Sequence, residues 1–139
     1  MRRVVIDPGV LVSAIITPVG PPAEIVRAVR RGRLALVVSP HLLAELLGVL
    51  RRERFRRYLT IEEVEGYVSG LASRGEMLAD PVGVAPITRD PSDDYLVALA
   101  RDARADAIVS GDADLLALEA AAPPILTPRA FVEELSRER

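Results

Sequence analysis

The chain has 139 residues, of which 50% are hydrophobic, and its formal net charge is −2. This length suits one globular domain that buries roughly 70% of the surface exposed by its unfolded form, so we expect residues 1–139 to form a single domain. The balanced charge excludes a strongly basic field over the whole molecule. The absence of cysteine excludes a disulfide framework and thiolate chemistry.

The 18 strongly basic residues are all arginine, and asparagine and glutamine are absent as well. Without lysine, the sequence excludes P-loop NTPases and Schiff-base enzymes, which depend on a lysine side chain. Depletion of Cys, Asn and Gln is typical of thermophilic proteins, while a GC-rich genome explains the use of arginine equally well. The most apolar window, 34–50, is interrupted by Ser39, Pro40 and Glu45 and is too short to predict a membrane span. We therefore expect a cytoplasmic protein that contacts no membrane.

The first third of the chain predicts strands and helices in alternation. A β-branched run at 4–6 is typical of a strand buried on both faces, as in a parallel sheet covered by helices. An apolar segment at 10–16 and helical spacing at 23–31 lead to a second apolar run at 34–38, which predicts another buried strand.

Capping signals mark the next two helices. Ser39 followed by Pro40 predicts a helix start, and we expect this helix to continue through the Arg-rich segment 51–57. Thr60, with Glu63 three residues later, predicts a capping box at the start of a further helix.

The second half of the chain continues the alternation. Strands are predicted at 76–79, 107–110 and 125–127, and helices are predicted to begin at Asp90, Asp112 and Pro128. This order implies right-handed crossovers and an α/β fold, a three-layer α/β/α sandwich with a central, mainly parallel sheet. In such sheets, ligand sites lie beyond the carboxyl ends of the strands.

The aspartates near these boundaries allow two interpretations. Helix N-caps are predicted at Asp7, Asp90 and Asp112, and first-turn positions, where the helix dipole favours negative charge, at Asp93, Asp94 and Asp114. Both kinds of position have a purely structural explanation. If Asp90 is the cap, Asp93 takes the capping-box position, which leaves Asp94 available for another role.

Glu45 has no capping role, since it lies well inside its helix on the flank of a mainly aliphatic face, although a solvent-exposed glutamate remains the alternative. One parallel sheet brings the ends of its strands to the same edge, and with them Asp7, Asp112, Asp94 and Glu45. Two carboxylates about 4 Å apart repel by roughly 4 kcal/mol at an effective dielectric constant of 20. Such a group gathers only if it is protonated or held by a cation, and ligands that are all oxygen favour Mg²⁺ or Mn²⁺.

Four segments of the chain carry a resemblance to a known family: VVIDPGVLVSAII, VVSPHLLAEL, RDPSDDYLVALA and AIVSGDADLL. Their order and surroundings are similar to those of the PIN-domain endoribonucleases, in particular the VapC-like toxins of bacterial and archaeal toxin–antitoxin pairs. The resemblance covers about residues 3 to 133. It implies catalytic roles for Asp7, Glu45, Asp94 and Asp112, with the three aspartates as metal ligands. It also gives three secondary candidates, which are Asp93, Asp114 and Ser13.

The resemblance implies metal-assisted hydrolysis of RNA phosphodiester bonds, with a preference for single-stranded RNA. It also implies a homodimer and a cognate antitoxin that covers the site. Two clusters of basic charge are candidates for contacts with RNA phosphates, namely Arg30, Arg31 and Arg33 in the first and Arg51 and Arg52 in the second. Solvated helix faces are the alternative for both clusters.

The chain departs from the family at the end of the first strand. The family usually has Asp-Thr-Asn there, whereas this chain has Asp7-Pro8-Gly9, and Ser110 stands where threonine is common. Loss of groups that orient a metal site typically costs about 10–100-fold in affinity or activity. A PIN-fold protein with weakened or lost activity, serving in binding or assembly, is therefore the main alternative function.

Two further classes fit the sequence poorly. A phosphotransfer receiver domain needs a lysine at a strand end, and the chain has none. A Ser-His-Asp hydrolase needs a nucleophile elbow, but His41, the one histidine, follows Ser39-Pro40 at a predicted helix start.

Overall fold

The computed structural model describes residues 1–118 and 121–138. Within them, five strands form one sheet: β1 (Arg2–Ile6), β2 (Leu34–Val38), β3 (Glu76–Met77), β4 (Ala107–Val109) and β5 (Ile125–Leu126). The α-helices are α1 (Pro8–Ile16), α2 (Pro21–Arg30), α3 (Pro40–Leu50), α4 (Ile61–Arg74), α5 (Pro91–Asp102), α6 (Ala113–Leu116) and α7 (Pro128–Arg137). A short 3₁₀ helix spans Glu53–Phe55.

The sheet is parallel throughout, with strand order β3-β2-β1-β4-β5. The predicted α/β/α fold is confirmed, and the predicted mainly parallel sheet is entirely parallel. Because the chain passes first from β1 to β2 and later to β4 on the other side of β1, the order of strands reverses at β1. This switch point is where open parallel sheets bind ligands.

The core is aliphatic, and it is centred on the middle strands of the sheet. Val4, Val5 and Ile6 of β1 are fully buried, as are Ile108 and Val109 of β4. Strands covered by helices on both faces leave no side free for polar residues. The first polar side chains therefore come directly after the strands, at the carboxyl edge of the sheet, defined here by Asp7, Ser39, Ser110 and Thr127.

The predicted helix starts are confirmed by their capping hydrogen bonds. The Ser39 hydroxyl accepts from the backbone N–H of Leu42, and Pro40 is the first residue of α3. Thr60 and Glu63 form the reciprocal capping box expected from their spacing. These caps satisfy N–H groups that have no partner within the helix.

Two predicted boundaries are wrong. The helix that begins at Pro40 ends at Leu50 and does not continue through the Arg-rich segment, because the backbone of Arg52 is extended. The guanidinium of Arg56 folds back and donates to the Leu50 carbonyl, one of the acceptors left free at a helix end. The third strand is also shorter than predicted: it stops at Met77 on the exposed edge of the sheet.

Within the described ranges, no single helix is long and apolar enough to cross a bilayer. Helices α1 and α2 together have the length and composition of a membrane span, but their axes meet at an angle of 94°.

The capping box gives a prediction about stability. Thr60→Ala removes one half of the box, and we expect it to lower the free energy of unfolding by about 1 kcal/mol. Urea denaturation followed by circular dichroism measures the change. Ser69→Ala, at an exposed position within the same helix, is the matched control, and an equal loss in both variants would contradict the assigned capping role.

Candidate metal centre

Asp7 lies at the switch point of the sheet and is held from two sides. It follows β1 and caps α1, where its Oδ1 accepts a hydrogen bond of 3.0 Å from the backbone N–H of Gly9. Its Oδ2 accepts a hydrogen bond of 2.8 Å from the hydroxyl of Ser110. The backbone N–H of Asp7 donates to the carbonyl of Val109 at 2.9 Å, so the carboxylate is fixed where β1 and β4 end.

Ser110 connects Asp7 with Asp112. Its side chain is fully buried; the hydroxyl donates to Asp7 and accepts the backbone N–H of Asp112 at 3.0 Å. Asp112 in turn caps α6, with its Oδ1 accepting from the backbone N–H of Asp114 at 2.8 Å and of Leu115 at 3.3 Å. One buried hydroxyl therefore sets the relative position of two acidic segments.

Three carboxylates converge beside this pair of strand ends. One carboxylate oxygen from each of Asp90, Asp93 and Asp112 lies within 4.8 Å of the other two. Asp90 is the N-cap of α5 and accepts from the backbone N–H of Ser92 at 2.9 Å. Asp93 lies about one helical turn further on, where it shares a face of α5 with Asp90.

Asp93 is the most constrained of the acids. Only 4% of the residue is exposed, and its Oδ2 is buried without a hydrogen-bond partner among the described residues. Burial raises the pKa of Asp93 to about 7, and the negative charges of Asp112, Asp90 and Asp7 add to the increase. The positive charge of a divalent cation would oppose this increase by favouring the ionised carboxylate, so the donor set fits a hard metal ion.

Asp94 has a different environment from its neighbour. Its Oδ1 accepts three hydrogen bonds, from the backbone N–H of Ile87 at 2.9 Å, the backbone N–H of Thr88 at 2.7 Å and the hydroxyl of Thr88 at 3.0 Å. Burial raises the pKa of Asp94, but the hydrogen bonds outweigh it and leave the pKa below its usual value. Asp94 therefore fastens the loop that precedes α5.

The sequence interpretation took Asp94 as the metal ligand and Asp93 as the secondary candidate, whereas the structure brings Asp93 to the cluster. The reason lies in the loop before α5: Asp94 is hydrogen-bonded to Thr88, whereas Asp93 is directed toward the carboxylates of Asp90 and Asp112. The expected capping box does not form either, because the backbone N–H of Asp90 donates to the Thr88 hydroxyl. Residues three and four apart both share a helix face, so the spacing from Asp90 did not distinguish Asp93 from Asp94.

The remaining predicted site residues have different environments. A cavity of about 390 Å³ is lined by Asp7, Ser13, Asp112 and neighbouring residues, and the Ser13 hydroxyl donates to the Gly9 carbonyl. Asp114 is exposed. Glu45 is half-buried on α3 and, within the described part of the chain, belongs neither to the three-carboxylate cluster nor to this cavity.

The predicted arginine contacts lie away from the carboxyl edge. Arg33 directly precedes β2, and a strand of this length separates its ends by about 16 Å. Arg31 and Arg33 line a groove between α2 and α7. Arg30 lies over the Tyr67 ring, 5.9 Å from its centroid.

The second cluster is similarly placed at the far end of its helix. Arg51 and Arg52 follow the last residue of α3, and Arg51 pairs with Glu65 at 3.6 Å. The sequence interpretation missed Arg89, which is exposed and directly precedes Asp90. Its position beside an acid that begins a helix was the available signal.

The family model for the PIN domain matches residues 3–114. The chain belongs to the PIN-domain family, whose members are generally nucleases. Uncharacterized protein MJ1680 of Methanocaldococcus jannaschii is 26% identical over 144 aligned residues, covering 97% of this chain and 92% of that protein.

Two solved structures are similar in fold. PAE2754 from Pyrobaculum aerophilum has a TM-score of 0.64 at 17% identity, covering 98% of this chain and 90% of its own. VapBC2 from Rickettsia felis, solved bound to a DNA fragment from its promoter, has a TM-score of 0.60 at 13% identity, covering 89% of this chain and 96% of its own. At these identities the likeness establishes the fold alone.

The Ser110 bridge gives a prediction about metal binding. Ser110→Ala frees both Asp7 and the segment of Asp112, and we expect the affinity for Mn²⁺ to fall about tenfold, as is typical when a group that orients metal ligands is lost. Calorimetric titration of the metal-free protein with MnCl₂ measures the change. The exposed Ser136 provides the control variant Ser136→Ala, and unchanged affinity in Ser110→Ala would refute the bridging role.

The raised pKa of Asp93 gives a prediction about pH. In the unfolded chain the group ionises near 3.8, whereas in the folded protein it holds its proton up to about 7. Between these values the folded state binds more protons, so its contribution to stability is present at low pH and is lost as the pH rises through 7. With a chelator present, we expect wild type to lose stability relative to Asp93→Asn between pH 4.5 and 7.5, as measured by urea denaturation. A constant difference between the two proteins would contradict the burial of an ionisable Asp93.

Proposed function

We propose that the chain is a metal-dependent endoribonuclease that hydrolyses phosphodiester bonds in single-stranded RNA, with Mg²⁺ or Mn²⁺ as cofactor. The observation that carries the proposal is the buried Asp93 carboxylate, which clusters with Asp90 and Asp112 and has one oxygen without a hydrogen-bond partner among the described residues. Three carboxylates suit a hard divalent cation. Membership of the PIN-domain family supports nuclease chemistry at this cluster.

The acidic residues have different proposed roles. Asp90, Asp93 and Asp112 would hold the ion, and Asp7, which borders the same cavity as Asp112, would be a further ligand oriented by Ser110. A bound divalent cation acidifies a coordinated water and neutralises charge on a phosphate. The carboxylates would position the attacking water.

Four of the residues predicted from the sequence receive no ligand role in this proposal: Glu45, Asp94, Ser13 and Asp114. Arg89 is proposed as the phosphate contact nearest to the cluster, because it is exposed and adjacent to Asp90. The arginines of the two basic clusters would then contact only distant parts of a longer RNA, at the opposite end of β2 and α3.

We further propose that this nuclease is the toxin of a toxin–antitoxin pair, a cytoplasmic homodimer that an antitoxin protein inhibits. The sequence resemblance to VapC-like toxins and the fold shared with VapBC2 support this role. The alternative, a PIN-fold protein that binds or assembles without cleaving, is favoured by one feature. Pro8 and Gly9 supply no side-chain hydroxyl or amide after Asp7, where the family usually has both.

Neighbouring aspartates offer a matched test of the nuclease. We expect Asp93→Asn to lower Mn²⁺-dependent cleavage of single-stranded RNA at least 100-fold, because it removes a charged ligand of the ion. Asp94→Asn should lose less than tenfold in activity and mainly lose stability, because it weakens only the hydrogen bonds from Ile87 and Thr88. Initial rates on a fluorescent oligonucleotide, with thermal melting of each variant, measure both effects.

The outcomes separate the competing assignments. Loss of activity in Asp94→Asn with retention in Asp93→Asn would return the ligand role to Asp94. Equal activity in both variants and wild type would exclude this site. No cleavage by wild type, together with stable binding of the product of a small adjacent reading frame, would favour the binding module.

A further inference from the structure

A second cavity opens on the other face of the first turn of α5. It has a volume of about 520 Å³, and its lining includes Pro91, Ser92 and Tyr95 of α5 together with His41 from the start of α3. By helical angle these α5 residues lie opposite Asp90 and Asp93. The cavity and the carboxylate cluster are therefore separated only by the width of one helix.

Both aromatic residues of the cavity wall donate a hydrogen bond to Asp80. The Tyr95 hydroxyl donates to Asp80 at 2.6 Å and is also hydrogen-bonded to the buried Ser39. The backbone N–H of His41 donates to the same Asp80 oxygen at 3.1 Å. The centroids of the two rings are 4.7 Å apart, so the rings also contact each other.

Much of the remaining wall is apolar, and the Asp94 carboxylate is the one acidic group among the described residues that line it. Val84 and Pro86, from the loop that precedes α5, line the cavity together with Pro91. Among the described residues, no arginine lines it, so the cavity offers no cation to a phosphate group. Its chemistry suits a flat, neutral, aromatic ligand that stacks on a ring and is enclosed by aliphatic side chains.

We propose that this cavity binds one unstacked nucleobase of the RNA whose scissile phosphate lies at the Asp90–Asp93–Asp112 cluster. The inference rests on the proposed function, since that function places a single-stranded RNA at the adjoining cluster. Unpaired bases stack readily on aromatic side chains. A base held on one face of α5 would fix the register of the neighbouring phosphate on the other face.

The test uses mononucleotides, so that it does not depend on cleavage. Metal-free wild-type protein, labelled with ¹⁵N and ¹³C, is titrated separately with AMP and with ribose 5-phosphate, which carries the same phosphate without a base. We expect AMP to shift the resonances of His41, Tyr95 and Val84, and ribose 5-phosphate to leave them in place. Equal shifts with both compounds, or none with either, would overturn the proposal.

Matched variants identify the surface involved. Val84→Glu introduces a charge into the cavity wall, whereas Val82→Glu introduces it two residues away at a side chain that is 93% exposed and does not line the cavity. We expect Val84→Glu and His41→Ala each to weaken AMP binding about fivefold or more, within the range expected for loss of one stacking contact, and Val82→Glu to leave it unchanged. Equal effects of the two glutamates would overturn the proposal.

Two further outcomes separate this inference from others. AMP shifts confined to the cavity in a protein that does not cleave RNA would support the base site while refuting the nuclease. The proposal would be overturned if the resonances of the cavity residues shift with protein concentration in the absence of nucleotide and do not respond to AMP. That result would show a contact between copies of the chain.

Discussion

The structure depends on the placement of negative charge at the carboxyl edge of a parallel sheet. Strands that are buried on both faces exclude polar side chains, so acids can enter only where the strands end. The parallel order brings the ends of β1 and β4 side by side. The start of α5 adds Asp90, its N-cap, and Asp93, from its first turn. Mutual repulsion and desolvation oppose this gathering, and an oxygen-binding cation is the physical solution that the donor set supports.

Capping and ligation are compatible in this site. Asp7, Asp90 and Asp112 each use one carboxylate oxygen to accept backbone N–H groups at the start of a helix. A carboxylate has two oxygens and about four lone-pair directions, so capping leaves acceptor capacity toward the cluster. The same hydrogen bonds restrict the rotation of the side chain. The structural and functional interpretations of these aspartates are therefore not alternatives.

Much of the fold could be predicted from local sequence signals. The β-branched run in β1, the Ser39-Pro40 start of α3 and the Thr60 capping box depend on neighbouring residues, and each was confirmed. The end of α3 depended on Arg56 reaching back to Leu50, which is a contact across a loop. No periodicity encodes such a contact.

The site was predictable as a region but not atom by atom. The sequence indicated acids at the ends of strands and starts of helices, yet the choice between Asp93 and Asp94 depended on the loop that carries Thr88, whose position is set by tertiary packing. The arginine clusters were conspicuous in composition, but the direction of β2 and α3 carries Arg33 and Arg51 away from the carboxyl edge. Arg89 belongs to neither arginine cluster, so composition did not point to it, although it directly precedes Asp90.

The brevity of α6 has a consequence for how the protein responds to heat. This helix has four residues, far fewer than the length at which an isolated helix persists in water, and it presents the backbone that orients Asp112. Segments with few buried contacts open at lower free energy than the core. On warming, a cation bound at the cluster would therefore be released before the sheet melts, because Asp112 loses its orientation when α6 opens.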